Sequence, residues 1–132
     1  MILPDTSAWI EFLRRTGHPT HVRLRELLAG GEAVAYTEPI AMEVLAGART
    51  PVEEQDLRAR LVALELIPAR GIVDFEAAAA IYRRCRAGGA TIARLIDCLV
   101  AAVAIREDVP VLHNDADFET IARYAGLRTV SA

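Results

Sequence analysis

Short apolar runs typical of strands alternate with longer helical segments along this chain. The alternation predicts a parallel sheet with helices on both faces, because each parallel connection needs a crossover that is usually helical. We therefore predict an α/β fold, a three-layer α/β/α sandwich with a mostly parallel central sheet, in a single domain spanning residues 1–132. The predicted strands are Met1–Pro4, Ala33–Thr37, Leu66–Ala69, Val109–His113 and Leu127–Val130.

Helical patterns fill the intervals between these strands. Thr6 or Ser7 is the predicted N-cap of the first helix, and Asp74 that of the fifth. Pro4 has no N–H for a sheet ladder, so it should lie near a strand end. The predicted helices are Ser7–Arg15, His21–Ala29, Glu38–Ala48, a fourth from Pro51 to about Leu64, a fifth from Asp74 through Ala87, Arg94–Glu107 and Asp117–Ala125.

Composition excludes several classes of protein. Apolar residues make up 53% of the chain, which argues against global disorder. No apolar run approaches the ~20 residues that span a bilayer, and the start of the chain lacks the basic and apolar regions of a signal peptide. We expect a cytoplasmic protein without membrane contact. The net charge of −3 argues against nonspecific nucleic-acid binding through the overall field.

Four carboxylates occupy unusual positions. Asp5 follows the first predicted strand, and Asp115 follows Val109–His113, so both should emerge at the same edge of a parallel sheet. Glu43 lies in the middle of an apolar helix, and Asp97 lies at the head of the most apolar one. Burying an ionised carboxylate alone costs several kcal/mol, so each of these acids needs a partner.

A divalent metal is the economical partner. The chain has no lysine, and Arg94 is the only cation close in sequence to Asp97. Mg²⁺ and Mn²⁺ select oxygen ligands, and such ions suit phosphoryl chemistry because they activate water and polarise phosphate.

Three of the four acids also have an ordinary structural interpretation. Asp5 would cap the first helix, Glu43 would face solvent, and Asp115 would be a turn residue with Asp117 as the N-cap. The four acids together favour the metal interpretation, because clustered carboxylates tend to mark functional sites.

The acids lie in four short stretches whose order and spacing resemble those of a known family. These are Asp5-Thr6-Ser7-Ala8-Trp9, Glu38-Pro39-Ile40-Ala41-Met42-Glu43-Val44-Leu45-Ala46-Gly47, Asp97-Cys98-Leu99-Val100-Ala101-Ala102 and His113-Asn114-Asp115-Ala116-Asp117-Phe118. Together they resemble the PIN-domain ribonucleases, specifically the VapC-type toxins of type II toxin–antitoxin pairs. Any one stretch is weak, whereas all four in order are specific and cover the chain from end to end.

The resemblance implies a PIN-like sandwich and Mg²⁺- or Mn²⁺-dependent endonucleolytic cleavage of RNA that leaves a 5′-phosphate. Transfer RNA is the family-level expectation for the substrate, with inhibition of translation as the result. The implied partners are a cognate VapB-like antitoxin and a second copy of the chain, in a homodimer within a toxin–antitoxin hetero-oligomer.

The resemblance also implies roles for single residues. Asp5 and Asp97 match metal ligands, and Glu43 matches a ligand or water-positioning base. Asp115 matches the fourth acid, which Asp117 would assist as a further ligand through water. Further supporting or substrate-contacting candidates are Thr6, Ser7, Asn114, Arg84 and Arg94.

Two of these candidates carry specific expectations. Arg94 stands where the family commonly has a small polar residue, so it is expected to contact substrate or antitoxin. Arg84 belongs to a basic group at the end of the fifth predicted helix that RNA would need on approach. Cations near a helix C-terminus are also good partners of the helix dipole, and this second explanation stays open.

Two other classes place acids at strand ends. Receiver domains use a lysine near the last strand, and this chain has none. Haloacid-type phosphatases need Asp-x-Asp after the first strand, whereas this chain reads Asp5-Thr6-Ser7. A noncatalytic PIN-like module that binds a partner is the remaining alternative. Retention of all four acids speaks against it, and an activity assay decides.

Overall fold

A computed structural model describes residues 1–130 of the chain, so the last two residues of the predicted domain lie outside it. Strands and helices alternate in the predicted order. The elements are β1 Leu3–Pro4, α1 Thr6–Leu13, α2 Pro19–Ala29, β2 Ala35–Tyr36, α3 Glu38–Ala46, α4 Pro51–Val62, β3 Glu65–Leu66, α5 Ile72–Ala87, α6 Leu95–Glu107, β4 Val111–Leu112, α7 Ala116–Ala125 and β5 Thr129–Val130.

The strands are all parallel. β1 pairs with β4, β4 with β5, and β2 with β3, while a single bridge between Ile2 and Val34 joins the two groups. The spatial order is therefore β3-β2-β1-β4-β5. The Ile2 amide donates toward β2 and the Leu3 amide toward β4, which points the Pro4 nitrogen back toward β2. Because proline has no N–H, the hydrogen-bonded ladder between β1 and β2 ends at that bridge.

Right-handed crossovers in this strand order place α1–α4 on one face of the sheet and α5–α7 on the other. The helix contacts agree, since α1 packs on α2 and α3, α3 on α4, and α5 on both α6 and α7. The predicted three-layer α/β/α sandwich is confirmed. None of the helices within residues 1–130 has the length and apolar character that a membrane crossing requires.

The core follows the apolar segments of the sequence. Every residue of α6 from Asp97 to Ala104 is buried, and Leu3 of β1 is fully covered by the helices around it. Trp9 of α1 and Phe118 of α7 are the largest buried side chains. α6 is therefore a central helix, and Asp97 in its first turn is buried.

Two predicted helix caps are wrong. Asp5, not Thr6 or Ser7, caps α1, and its carboxylate accepts a hydrogen bond from the Ala8 amide at 3.3 Å. Thr6 and Ser7 are already helical, and their hydroxyls are engaged elsewhere. Asp74 does not cap α5, which begins at Ile72, because its carboxylate is buried in an ion pair with Arg106.

Several element boundaries also differ from the predictions. β3 is Glu65–Leu66 rather than Leu66–Ala69, because its partner β2 ends at Tyr36 and the next amide on that side, Ala69, donates to the Glu38 carboxylate at the start of α3. α2 begins at Pro19, two residues before the prediction, because the His18 imidazole accepts a hydrogen bond from the Thr20 amide. Proline at the first helical position suits this start.

Candidate metal centre

Three carboxylates converge at the carboxyl edge of the sheet. Asp5 and Asp115 follow the adjacent strands β1 and β4, and Asp97 lies in the first turn of α6. Among residues 1–130, one carboxylate oxygen from each of the three lies within 4.8 Å of the other two. We call Asp5, Asp97 and Asp115 the acidic cluster.

Asp5 is fixed in place by hydrogen bonds to one of its oxygens. The Ser7 hydroxyl donates to Asp5 Oδ1 at 2.6 Å, and the Asn114 backbone amide donates to that hydroxyl at 2.8 Å. The loop after β4 is thereby tied to the carboxylate after β1. Asp5 Oδ2 is buried and has no hydrogen-bond partner within residues 1–130. One oxygen is oriented and the other is left for a ligand.

Asp97 is the most strongly perturbed carboxyl group. Its Oδ2 is buried without a hydrogen-bond partner in the part of the chain described. Burial raises the Asp97 pKa to about 8, and the neighbouring Asp117 side chain contributes in the same direction. Burial also raises the pKa of Asp5, to about 6, against hydrogen bonds that lower it. Both shifts mean that burial disfavours the ionised form of these two acids, whereas a cation bound beside them would favour it.

Glu43 lies beside the cluster rather than in it. Its Oε1 accepts a 2.6 Å hydrogen bond from the Thr6 hydroxyl, which links α3 to α1. Its Oε2 lies 3.4 Å from an Arg94 nitrogen. Glu43 is therefore oriented toward the site by α1, although it is outside the group of oxygens that converge within 4.8 Å.

The Arg94 guanidinium faces several acids at once. One nitrogen lies 3.5 Å from Asp97 and 3.4 Å from Asp115, and another lies 3.4 Å from Glu43. The Arg94 side chain is 46% exposed. The sequence indicated only the neighbour Asp97, because Glu43 and Asp115 are distant along the chain.

Asp117 has a different role from Asp115. Its two carboxylate oxygens accept hydrogen bonds from the Ala93 and Arg94 backbone amides, each at 3.1 Å. Asp115 is the N-cap of α7 and accepts from the Asp117 amide at 2.9 Å. Asp115 thus joins the cluster, while Asp117 fixes the loop from which α6 begins.

The remaining predicted site residues lie farther out. The Asn114 side chain donates to Glu11 at 3.3 Å, so its backbone rather than its amide group reaches the site. Arg84 is exposed near the end of α5, and no ion pair or hydrogen bond within residues 1–130 joins its side chain to the acidic cluster. Arg84 lies in the last turn of α5, where a positive charge stabilises the helix dipole.

The residues at the site fit a divalent cation. The atoms that could bind a metal are all carboxylate oxygens. Asp5 and Asp97 each have one buried oxygen without a hydrogen-bond partner among residues 1–130. Hard cations such as Mg²⁺ and Mn²⁺ select oxygen ligands. A cation there would offset the negative charge of the buried carboxylates. Asp5, Asp97 and Asp115 are the residues that would hold it.

Comparison with known proteins gives consistent matches over the whole chain. The PIN domain family model matches residues 2–124. Ribonuclease VapC11 of Mycobacterium tuberculosis is 44% identical over 132 residues, which cover 99% of this chain and 98% of the relative. Among solved structures, VapBC2 from Rickettsia felis, bound to a promoter DNA fragment, has a TM-score of 0.75 at 20% identity and 98% coverage of both chains. A toxin–antitoxin complex from Klebsiella pneumoniae has a TM-score of 0.72 at 23% identity, covering 99% of this chain and 97% of that one.

Proposed function

The chain belongs to the PIN domain family and, within it, to the VapC-type ribonuclease toxins, and from this premise we propose a metal-dependent endoribonuclease that uses the acidic cluster. The observation that carries the proposal is that Asp5 and Asp97, two of the three acids that converge at this all-oxygen site, each have a buried oxygen with no hydrogen-bond partner among residues 1–130. Burial raises the pKa values of Asp5 and Asp97 to about 6 and about 8, and clustered carboxyl groups perturbed in this way are typical of catalytic sites, which favours an enzyme over a noncatalytic binding module.

The chemistry divides among the residues as follows. A bound Mg²⁺ or Mn²⁺ would lower the pKa of a water molecule and polarise the phosphate. Asp5, Asp97 and Asp115 would hold the cation, and the Ser7 hydroxyl keeps Asp5 oriented. We assign Glu43, which Thr6 holds at Oε1, to accept the proton of the attacking water at Oε2. Water would add to phosphorus as the bond to the 3′ oxygen breaks, and a solvent water would protonate the departing 3′ oxygen, which leaves a 5′-phosphate and a 3′-hydroxyl.

The direct test is cleavage of total RNA with and without metal. We expect cleavage with Mg²⁺, loss of cleavage in excess chelator, and recovery when Mn²⁺ or Mg²⁺ is restored. Mapping of the cut ends identifies the RNA, with transfer RNA as the proposed substrate and arrest of translation as the consequence.

The matched variants are Asp5→Asn, in the cluster, and Glu76→Gln, an exposed acid of α5. Asp5→Asn should lose cleavage while keeping its circular dichroism spectrum, and Glu76→Gln should cleave like the parent. Full activity in chelator would exclude the metal-dependent mechanism.

We propose a VapB-like antitoxin as the protein partner, seated in a groove of about 330 Å³ between α1, α3 and α4. Ile10, Leu13 and Leu57 line it with apolar surface, and Arg14 and Arg49 add charge. The groove reaches Thr6 and Glu43, so a segment bound there would lie against the site.

We propose that a second copy covers another apolar groove, of about 690 Å³, between α3, α5 and α6. Met42, Phe75 and Leu95 line it and are 57–60% exposed, which is unusual for large apolar side chains. Met42 and Leu95 are sequence neighbours of Glu43 and Asp97, so pairing here would bring two sites close together.

Introducing charge into this groove should therefore separate the copies. We expect Phe75→Glu to shift the protein from dimer to monomer in light scattering coupled to size exclusion. Val62→Glu is the matched control, because Val62 is 70% exposed on α4, outside the groove. A Phe75→Glu protein with the parental mass would exclude this interface.

A further inference from the structure

The Arg94 guanidinium lies against two of the three acids of the acidic cluster, Asp97 and Asp115, and against Glu43 beside it. It is 3.4–3.5 Å from carboxylate oxygens of these three residues. In this arrangement one positive charge lies beside three carboxylates. The buried Oδ2 atoms of Asp5 and Asp97 still have no hydrogen-bond partner in the part of the chain that the structure describes. The arginine therefore compensates the site only in part.

The Arg94 backbone is fixed and its head group is free to move. Its amide donates to Asp117 Oδ2 at 3.1 Å, and the residue forms the extended N-cap of α6. Its side chain is 46% exposed, whereas the Asp97 side chain beside it is 3% exposed. The contacts to the acids are also long for charged hydrogen bonds, which are shortest near 2.7–2.9 Å. Rotation of the side chain into solvent would release all three acids without disturbing the loop.

Resting on the proposed metal function, we propose that Arg94 is the resident counter-ion of the site: it holds the carboxylates together in the metal-free protein and is displaced when a divalent cation binds. Arg94 is thus a positioning residue that sets metal affinity. Asp97 and Asp115 would face both the guanidinium and the metal ion. Two positive charges beside the same two carboxylates repel each other, so moving the guanidinium away costs free energy and weakens metal binding.

The test is Mn²⁺ binding to the free protein, without RNA, by titration calorimetry. Arg94→Gln should bind Mn²⁺ about tenfold more tightly than the parent, which corresponds to about 1.4 kcal/mol. Arg94→Lys, which keeps the charge but cannot reach three carboxylates at once, should fall between the two. Arg123→Gln is the control, because it removes an equal charge from an exposed position on α7.

Thermal unfolding gives a second readout. Metal-free Arg94→Gln should melt below the parent, and saturating Mn²⁺ should raise its Tm by more than it raises that of the parent. A merely structural arginine would lower the Tm without tightening Mn²⁺ binding. Parental Mn²⁺ binding with equal or weaker binding by Arg94→Gln would overturn the inference and leave the metal site standing. Absence of Mn²⁺ binding by every protein would overturn both.

Discussion

Replacing Asp97 with asparagine should abolish RNA cleavage and, at the same time, stabilise the metal-free protein at pH 8. The Asp97 side chain is only 3% exposed, and burial raises its pKa to about 8. Asparagine has the shape of the protonated acid and carries no charge for burial to penalise. Its amide can also donate to Asp117, as the protonated acid can. The substitution removes a proposed metal ligand and a cost to folding together.

The sign of the pH dependence follows from the direction of the shift. The ordinary pKa of this carboxyl group is 3.8 and the folded value is about 8, so the folded protein retains a proton that the unfolded chain has lost. Its contribution to stability is complete below about pH 4 and is lost as pH rises through about 8. Asp5, with a folded pKa of about 6, contributes in the same sense.

We therefore expect the Tm of the metal-free parent to fall between pH 5 and pH 8, and Asp97→Asn to remove much of that fall. Each pKa unit corresponds to about 1.4 kcal/mol, so the gain at pH 8 should be several kcal/mol, or on the order of 10 °C. Saturating Mn²⁺ should stabilise the parent at pH 8 and leave the variant unchanged.

Differential scanning fluorimetry in chelator at the two pH values, with an RNA cleavage gel, measures both effects. Asp56→Asn is the control, since Asp56 is an exposed acid on α4. An Asp97→Asn protein that still cleaves RNA, or that melts below the parent at pH 8, would contradict the assignment of Asp97 as a buried metal ligand.

The fold could be predicted because its signals are local. Each helix and strand has its own periodicity or turn residues. The start of α4 is an example, because Thr50 precedes a proline at the first helical position and its hydroxyl accepts from the Glu53 amide. Strand ends were less predictable, since pairing depends on a neighbour. Val109–His113 shortens to Val111–Leu112 because only those residues face partners in both β1 and β5.

The site was predictable in composition and less so in arrangement. Strand-end position and apolar context singled out Asp5, Glu43, Asp97 and Asp115, and the structure brings three of them together while Glu43 lies outside that group. Asp5, Thr6 and Ser7 are adjacent and all are residue types that cap helices, so the sequence does not show which of them caps α1. The structure shows that it is Asp5. Likewise, nothing local separates Asp115 from Asp117, since the backbone amides that engage Asp117 are more than 20 residues away.

The role of Asp74 also depends on a partner that is distant along the chain, Arg106. Breaking this ion pair should cause the largest loss of stability outside the site. Arg106 Nε donates to Asp74 Oδ1, and a terminal nitrogen donates to Oδ2, both at 3.0 Å. The same nitrogen donates to the Pro68 carbonyl at 2.8 Å, and the Arg70 amide donates to Asp74 at 2.7 Å. The pair therefore ties the segment before α5 to the end of α6, 32 residues apart in the sequence.

Replacing Arg106 with glutamine should destabilise the protein by about 3–5 kcal/mol, because it leaves the Asp74 charge buried without its partner. The side chains of Asp74 and Arg106 are only 2% and 18% exposed, so solvent cannot replace the lost contacts. The Tm should fall by more than 10 °C. Arg128→Gln breaks an exposed pair with Asp108 and should cost about 1 kcal/mol or less.

Acid titration supplies an independent check. The hydrogen bond from Arg106 lowers the pKa of Asp74, so this group contributes stability above its unfolded pKa of 3.8 that is lost as pH falls through the lower folded value. Arg106→Gln should therefore reduce the loss of stability on acidification below about pH 4. Replacing both partners with apolar residues, as in Asp74→Leu with Arg106→Met, should recover much of the stability, since no unpaired charge stays buried. If the single and double variants were equally unstable, the cost would lie in packing, and the ion pair would not be what joins these two segments.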